Sequence, residues 1–210
     1  MHFLFVFDLK RIYKRERSEN RVNKVRNVLA QKQPGLTVVL ENVHDPHNIM
    51  AVIRTCDAVG VVEVHIIETR ERTWDPKLGK NSSSGAKKWI TAHTYQSVDS
   101  CFEYLRKEGK QIYTTHMGKS SKSLYELDLV QDVALVFGNE HYGVSEEAVS
   151  KSDGNFLIPQ FGMIQSLNIS VACAVSLFEA SRQRQERGLY ENINFSEDQY
   201  NSLVEEWLMK

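Results

Sequence analysis

An α/β domain, with a mainly parallel sheet flanked by helices, is the fold class this amino-acid sequence predicts, on three observations. Strand-like apolar runs alternate along the chain with segments whose apolar residues recur at helical spacing. The runs close on turns and loops bounded by Gly or Pro, as at 138–143 and 159–165. The length, 210 residues, suits one good core and one main domain with short helical appendages at its amino and carboxyl ends.

The elements follow in order. Val22, Val25, Val28 and Leu29 make a short amphipathic helix that Pro34-Gly35 stops. Residues 36–40, LTVVL, read as the first strand. Ile49, Val52, Ile53, Cys56 and Val59 then fall at helical spacing, and Gly60 supplies the stop. A strand at 62–67, a basic loop, a short strand at 89–92 and a helix at 97–107 come next. Strands at 111–115 and 133–137 precede a short helix from Ser145, a strand at 156–158 and a long helix from Leu167. Val171, Ala174, Val175 and Phe178 give that helix an apolar stripe, and 196–208 form one more acidic amphipathic segment.

Composition narrows the function class. A formal charge of −1 argues against a protein that coats nucleic acid by bulk electrostatics. The charges are unevenly placed, however: 1–34 carry a net of +6, 70–88 a net of +4 and 191–210 a net of −4. A local RNA footprint and a solvated helix face both fit the basic amino end. Cys56, Cys101 and Cys173 are odd in number, widely spaced and set in helical patterns, which indicates neither a disulfide framework nor a zinc site and suits a reducing cytosol. The apolar run at 3–7 breaks at Asp8, far short of a membrane span, so a soluble cytoplasmic protein is expected. No G-x-G-x-x-G follows the first strand, which leaves an ordinary dinucleotide site unsupported.

Three segments carry the functional reading. In NVHDPHNIMAVIRTCDAVG (42–60), Asn48 and Arg54 lie off the apolar stripe. At about 100° per residue they stand roughly 240° apart on one continuous helix, so they converge only if Asn48 sits at its start, where Asn caps well. A cap beside a solvated arginine is the plain alternative. VALVFGNEHYG (133–143) is an apolar run closing on a Gly-bounded turn that contains Glu140. FLIPQFGMIQSLNISVA (156–172) is a short strand, a Pro/Gly loop and a small-residue helix headed by Ser166 and Asn168.

Together and in this order, the segments resemble the SpoU, or TrmH, family of RNA ribose 2′-O-methyltransferases. The resemblance rests on N-x5-R at Asn48 and Arg54, F-G-N-E at 137–140, and Ile158-Pro159 followed by S-L-N at 166–168, in register over about 36–187. It implies a SPOUT fold, whose deep C-terminal trefoil knot, here about 133–182, binds S-adenosylmethionine without a metal; such knots are rare exceptions to unknotted topology. The corresponding boundaries are a basic appendage at 1–34, a methyltransferase domain at 35–188 and an acidic segment at 189–210. The resemblance carries over Thr115, Gly138, Ile158 and Leu167 as cofactor contacts, and Asn48, Arg54, Glu140, Ser166 and Asn168 as the catalytic group. It gives Arg54 the task of activating the ribose hydroxyl and Asn48 that of orienting it or the adjacent phosphate. Because guanidinium groups stay protonated in proteins, the reading commits to Arg54 as indispensable, with stabilisation of developing negative charge as a role open to it in either mechanism. Ser166 also looks like the N-cap of the following helix, with Asn168 in its first turn.

Lys87 and Lys88 in NSSSGAKK (81–88), with Arg182, Arg184 and Arg187 in SRQRQERGLY (181–190), are the candidate RNA-phosphate contacts. A plain connector and ordinary surface charges produce the same patterns. Family members form homodimers through the knot, so a dimer is expected. QKQP (31–34), LTVVLENVHDPHN and IRTCDAVGVVEVH resemble most the branch that methylates guanosine 18 in the tRNA D-loop. Three readings compete: a ribosomal-RNA methyltransferase of the same fold, a non-catalytic RNA-binding relative, and a small-molecule-binding α/β protein. Retention of Asn48, Arg54 and S-L-N weighs against the second, and the basic amino end against the third.

Overall fold

Seven strands join in one sheet in which every pairing is parallel. A computed structural model describes residues 18–69, 85–118, 120–164 and 166–210. Half of the basic amino end, 1–17, and most of the basic loop, 70–84, lie outside the described residues. In chain order the elements are α1 (Glu19–Ala30), β1 (Leu36–Glu41), α2 (Pro46–Ala58), β2 (Glu63–Ile67), β3 (Thr91–Tyr95), α3 (Val98–Lys107), β4 (Gln111–Thr115), β5 (Lys122–Ser123), β6 (Val133–Phe137), α4 (Glu146–Lys151), β7 (Gly154–Leu157), α5 (Ile169–Glu186) and α6 (Glu197–Met209). Across the sheet the order is β3-β2-β1-β6-β4-β7-β5.

The central strands β1 and β6 are buried at every position, because helices cover both faces of a parallel sheet. Val38, Leu40, Leu135 and Phe137 belong to the core that includes Val52, Ile53 and Cys56 of α2 with Cys173 and Leu177 of α5. The intervening Val39, Ala134 and Val136 belong to the opposite core, with Cys101, Phe102 and Leu105 of α3. That division is the two-residue period of a strand. All three cysteines are buried and unpaired by disulfides. Between β6 and β7 the chain passes β4, which pairs with both. The loops that follow β4, β6 and β7 are thereby gathered at one end of the sheet.

Several boundaries differ from the sequence expectation: the strand expected at 156–158 is Gly154–Leu157, and the long helix begins at Ile169 and not at Leu167. The strand expected at 89–92 is Thr91–Tyr95: Trp89 packs on Trp207 with ring centroids 4.8 Å apart, and pairing with β2 begins at Thr91 opposite Glu63. The two-residue β5 was not foreseen, since so short a strand has no periodicity to read.

The helices α1 and α6 pack on each other. Val25 and Leu29 of α1 pack with Val204 and Trp207 of α6. Lys32 is buried, its ammonium 2.8 Å from Asp57 and 5.4 Å above the Trp207 ring. Gln33, also buried, donates to the Leu189 carbonyl at 3.2 Å. The QKQP segment is thus a buried joint between the helical pair and the sheet domain. No helix among the described residues is long and apolar enough to cross a membrane.

Candidate active site

Parallel strands present their carboxyl ends on one edge, and a ligand site belongs there. Thr115 ends β4, while Gly138 directly follows β6 and Ile158 directly follows β7. These three, with Leu167 ahead of α5, line a cavity of about 410 Å³, within the range usual for small-molecule sites. Glu140 and Ser166 line it too. Thr115 is held in place by donating to the Val136 carbonyl at 3.1 Å.

The turn after β6 is built by its own residues. Asn139 and Gly143 exchange backbone hydrogen bonds of 3.0 and 2.8 Å, and the Asn139 side-chain oxygen accepts from the His141 N–H at 2.8 Å. A Cβ at Gly138 would lie 2.0 Å from the Gly143 carbonyl carbon, so the turn closes only over glycine. Asn139 then donates to the Asn42 carbonyl at 2.9 Å. Asn42 has φ of 51° and its side-chain oxygen accepts from the Thr69 N–H at 3.0 Å. Asparagine tolerates this left-handed backbone. Neither Asn42 nor Asn139 is among the sequence-predicted site residues; an Asn within two residues of a strand's carboxyl end was the available signal.

The three motif segments meet at the rim. Asn48 donates to Glu140 Oε1 at 2.7 Å, and Asn168 donates to Asn48 Oδ1 at 3.2 Å. Two expectations need correction here. Asn48 lies in the first turn of its helix but does not cap it: Asp45 is the N-cap, accepting from the His47 N–H at 2.8 Å, with Pro46 at the first position. Asp-Pro was the start signal to read. Likewise Ser166 does not cap α5, because Asn168 does, accepting from the Ser170 N–H at 2.9 Å. Arg54 is exposed on the continuous α2, about 9 Å further along the axis and about 120° around the exposed face from Asn48. It does not line the cavity.

The sequence pattern of the SpoU rRNA methylase family matches residues 35–178, more than half of the chain. The chain belongs to the SpoU methylase family. This SpoU methylase is 42% identical, over 93% of its length and 100% of the relative's, to a tRNA (guanosine(18)-2′-O)-methyltransferase of Thermus thermophilus. Its fold superimposes with a TM-score of 0.80 on the Aquifex aeolicus TrmH/SpoU tRNA modifying enzyme, at 35% identity over 91% of this chain and 96% of that one. A second solved structure, the SpoU methyltransferase AviRb of Streptomyces viridochromogenes in complex with the cofactor AdoMet, gives a TM-score of 0.65 at 25% identity over 75% and 62% of the chains.

The cavity of this SpoU methylase fits such a cofactor on its own chemistry. Phe137, Phe156, Ile158 and Leu167 give apolar wall, and the 138–143 turn brings backbone polar groups to its edge. Backbone N–H and C=O groups of that kind suit an adenine edge and an amino-acid tail. Among the described residues no group of three or more His, Cys, Asp or Glu side chains is arranged to hold a metal.

The basic residues divide. Lys87 and Lys88, in a 3-10 turn at Ala86–Lys88, and Arg187 at the end of α5 are exposed. Arg182 is exposed but bridges Glu179 at 2.8 Å and Glu186 at 2.6 Å, which raises its pKa. Arg184 overturns its sequence reading as a phosphate contact. It is buried, donating to the Leu129 carbonyl at 2.9 Å, the Gln131 carbonyl at 2.6 Å and Gln33 at 3.2 Å. The expected apolar stripe is split: Val175 packs against the core, but Val171 and Phe178 are 46% and 59% exposed, whereas Cys173, Ser176, Leu177 and Ala180 are buried.

Proposed function

We infer that this SpoU methylase transfers a methyl group from S-adenosylmethionine to the ribose 2′-hydroxyl of a tRNA guanosine, with D-loop nucleotide 18 as the target. One observation carries the reading: Asn48, Glu140 and Asn168, from three distant segments, are hydrogen-bonded together beside a cofactor-sized cavity. The Thermus relative, matched over its whole length, supports the choice of substrate.

When bound, S-adenosylmethionine supplies a methyl group activated on a sulfonium. Thr115, Gly138, Ile158 and Leu167 bind it and shield it from bulk water. Asn48 and Glu140 orient the substrate at the rim through amide and carboxylate groups already fixed by hydrogen bonds. Arg54 offers N–H donors to the negative charge that develops on the 2′-oxygen and to the neighbouring phosphate.

The finer structural reading joins this one. A trefoil knot spans about 133–182 within a domain at 35–188, and the passage of the chain from β6 past β4 to β7 supports it. The protein is a homodimer, supported by the exposed apolar side of α5 at Val171 and Phe178. Lys87, Lys88, Arg182 and Arg187 contact RNA phosphates. Three buried, unbridged cysteines suit a cytoplasmic protein.

Transfer of tritium from labelled S-adenosylmethionine, offered unmodified tRNA and ribosomal-RNA fragments in parallel, tests the reading. Label at the ribose of a D-loop guanosine is expected. Label confined to the ribosomal fragments would overturn the substrate, and label in neither would overturn the reaction.

A further inference from the structure

The hydrogen bonds that join the motifs have a fixed direction, set at one end by a backbone N–H and at the other by a carboxylate. Asn168 Oδ1 faces two hydrogens at once, the Ser170 backbone N–H at 2.9 Å and the Ser170 hydroxyl at 2.6 Å. A backbone N–H can only donate, so the amide atom beside it is the oxygen. The Asn168 amino group must therefore point the other way, and it meets Asn48 at 3.2 Å. Asn48 must answer with its own oxygen, which turns its amino group toward Glu140 Oε1 at 2.7 Å. Each amide has two ends of opposite character, so the backbone N–H at one end and the acceptor-only carboxylate at the other demand the same orientation of both amides, and the Ser170 hydroxyl adds a second bond that holds it. Glu140 has no other hydrogen-bond partner among the described residues and lines the cavity.

We propose that Ser170 is a positioning residue for methyl transfer: its hydroxyl, the second donor to Asn168 Oδ1, holds the Asn168–Asn48–Glu140 chain in place and with it the Glu140 carboxylate at the cavity rim. The proposal rests on the methyltransferase reading only for its consequence in catalysis; the relay is a property of the protein alone. Ser170 is half-buried in the first turn of α5, and nothing substrate-sized needs to touch it.

Side-chain amide resonances of protein labelled with [15N]asparagine test the relay directly. The Asn48 pair, identified by its disappearance in Asn48→Ala, shifts in Ser170→Ala and returns in Ser170→Thr, which restores the hydroxyl. In transfer assays Ser170→Ala lowers kcat about tenfold with the tRNA KM and the cofactor Kd unchanged, a loss in keeping with one positioning hydrogen bond, and Ser170→Thr recovers it. An Asn48 resonance unmoved by Ser170→Ala overturns the proposal. So does a Ser170→Thr protein that matches Ser170→Ala, because packing rather than the hydroxyl would then be at issue. Wild-type protein that methylates no RNA would sink the methyltransferase reading, while the amide resonances would still decide the relay.

Discussion

Asn168 and Asn48, 120 positions apart in the chain, are joined side chain to side chain at 3.2 Å. The bond ties the amino end of α5 to the first turn of α2, and it brings the first and third motif segments into one group with Glu140. Catalytic assignments for this chain are therefore assignments to a connected set, and its members can be tested separately.

Arg54 is expected to matter for chemistry and not for cofactor binding. It does not line the cavity, so Arg54→Lys should leave the S-adenosylmethionine Kd unchanged. Loss of a planar, preorganised donor set should lower kcat by about 10²–10³-fold. Equilibrium dialysis of the cofactor beside single-turnover transfer separates the two; a weakened Kd with intact kcat would contradict the assignment.

Gly138→Ala should damage the cofactor site itself. The added methyl would fall 2.0 Å from the Gly143 carbonyl carbon and 2.1 Å from its oxygen, so the turn must open. An overpacking cost of about 1–3 kcal/mol predicts a cofactor affinity weakened about fivefold to a hundredfold. Isothermal titration gives the number, and wild-type affinity would mean that the turn is looser than its hydrogen bonds indicate.

Arg184 and Arg182 should separate stability from surface charge. Arg184→Met leaves the Leu129 and Gln131 carbonyls without their donor, at a cost of about 2–4 kcal/mol. Arg182→Met removes an exposed pair with Glu186 and a pair with the largely covered Glu179, which Gln183 still serves as donor, and should cost no more than about 1 kcal/mol. Urea unfolding ranks them; equal midpoints would rule out the structural role given to Arg184.

His65 predicts a pH dependence of stability with a definite sign. Burial, then His93 and Lys110, lowers its pKa to about 3. The unfolded chain therefore binds a proton that the folded protein refuses between about pH 6.5 and 3. Stability is fully present above 6.5 and falls as the pH drops through that window, by at most about 1.4 kcal/mol per pH unit. His65→Gln should flatten the difference in Tm between pH 6.5 and 5; an unchanged slope would place its origin elsewhere.

The exposed side of α5 gives the last expectation. If the proposed dimer forms through α5, the wild type should sediment as a dimer and Phe178→Glu as a monomer in sedimentation-velocity runs, because a buried carboxylate without a partner is costly. A variant that sediments as the wild type does would move the interface away from Phe178.

The sequence by itself determined the parallel α/β class, the strands at Gln111–Thr115 and Val133–Phe137 and the residues that gather at the cavity. These depend on local periodicity, on Gly and Pro at chain reversals, and on motifs whose order survives without coordinates. The buried face of α2 was legible in its apolar spacing, but tertiary structure alone decided which face of α5 is inside. Along α5 the residues 171, 174, 175 and 178 look like the packed stripe, yet the core takes Cys173, Leu177 and Ala180 with Val175 beside them, and Val171 and Phe178 are left outward. Arg184 shows the same limit: an arginine in a charged run is indistinguishable from a phosphate contact until two carbonyls, more than fifty positions away, are found waiting for it. Burial and pairing across such distances depend on how elements dock, and docking leaves no period in the sequence for a reader to find.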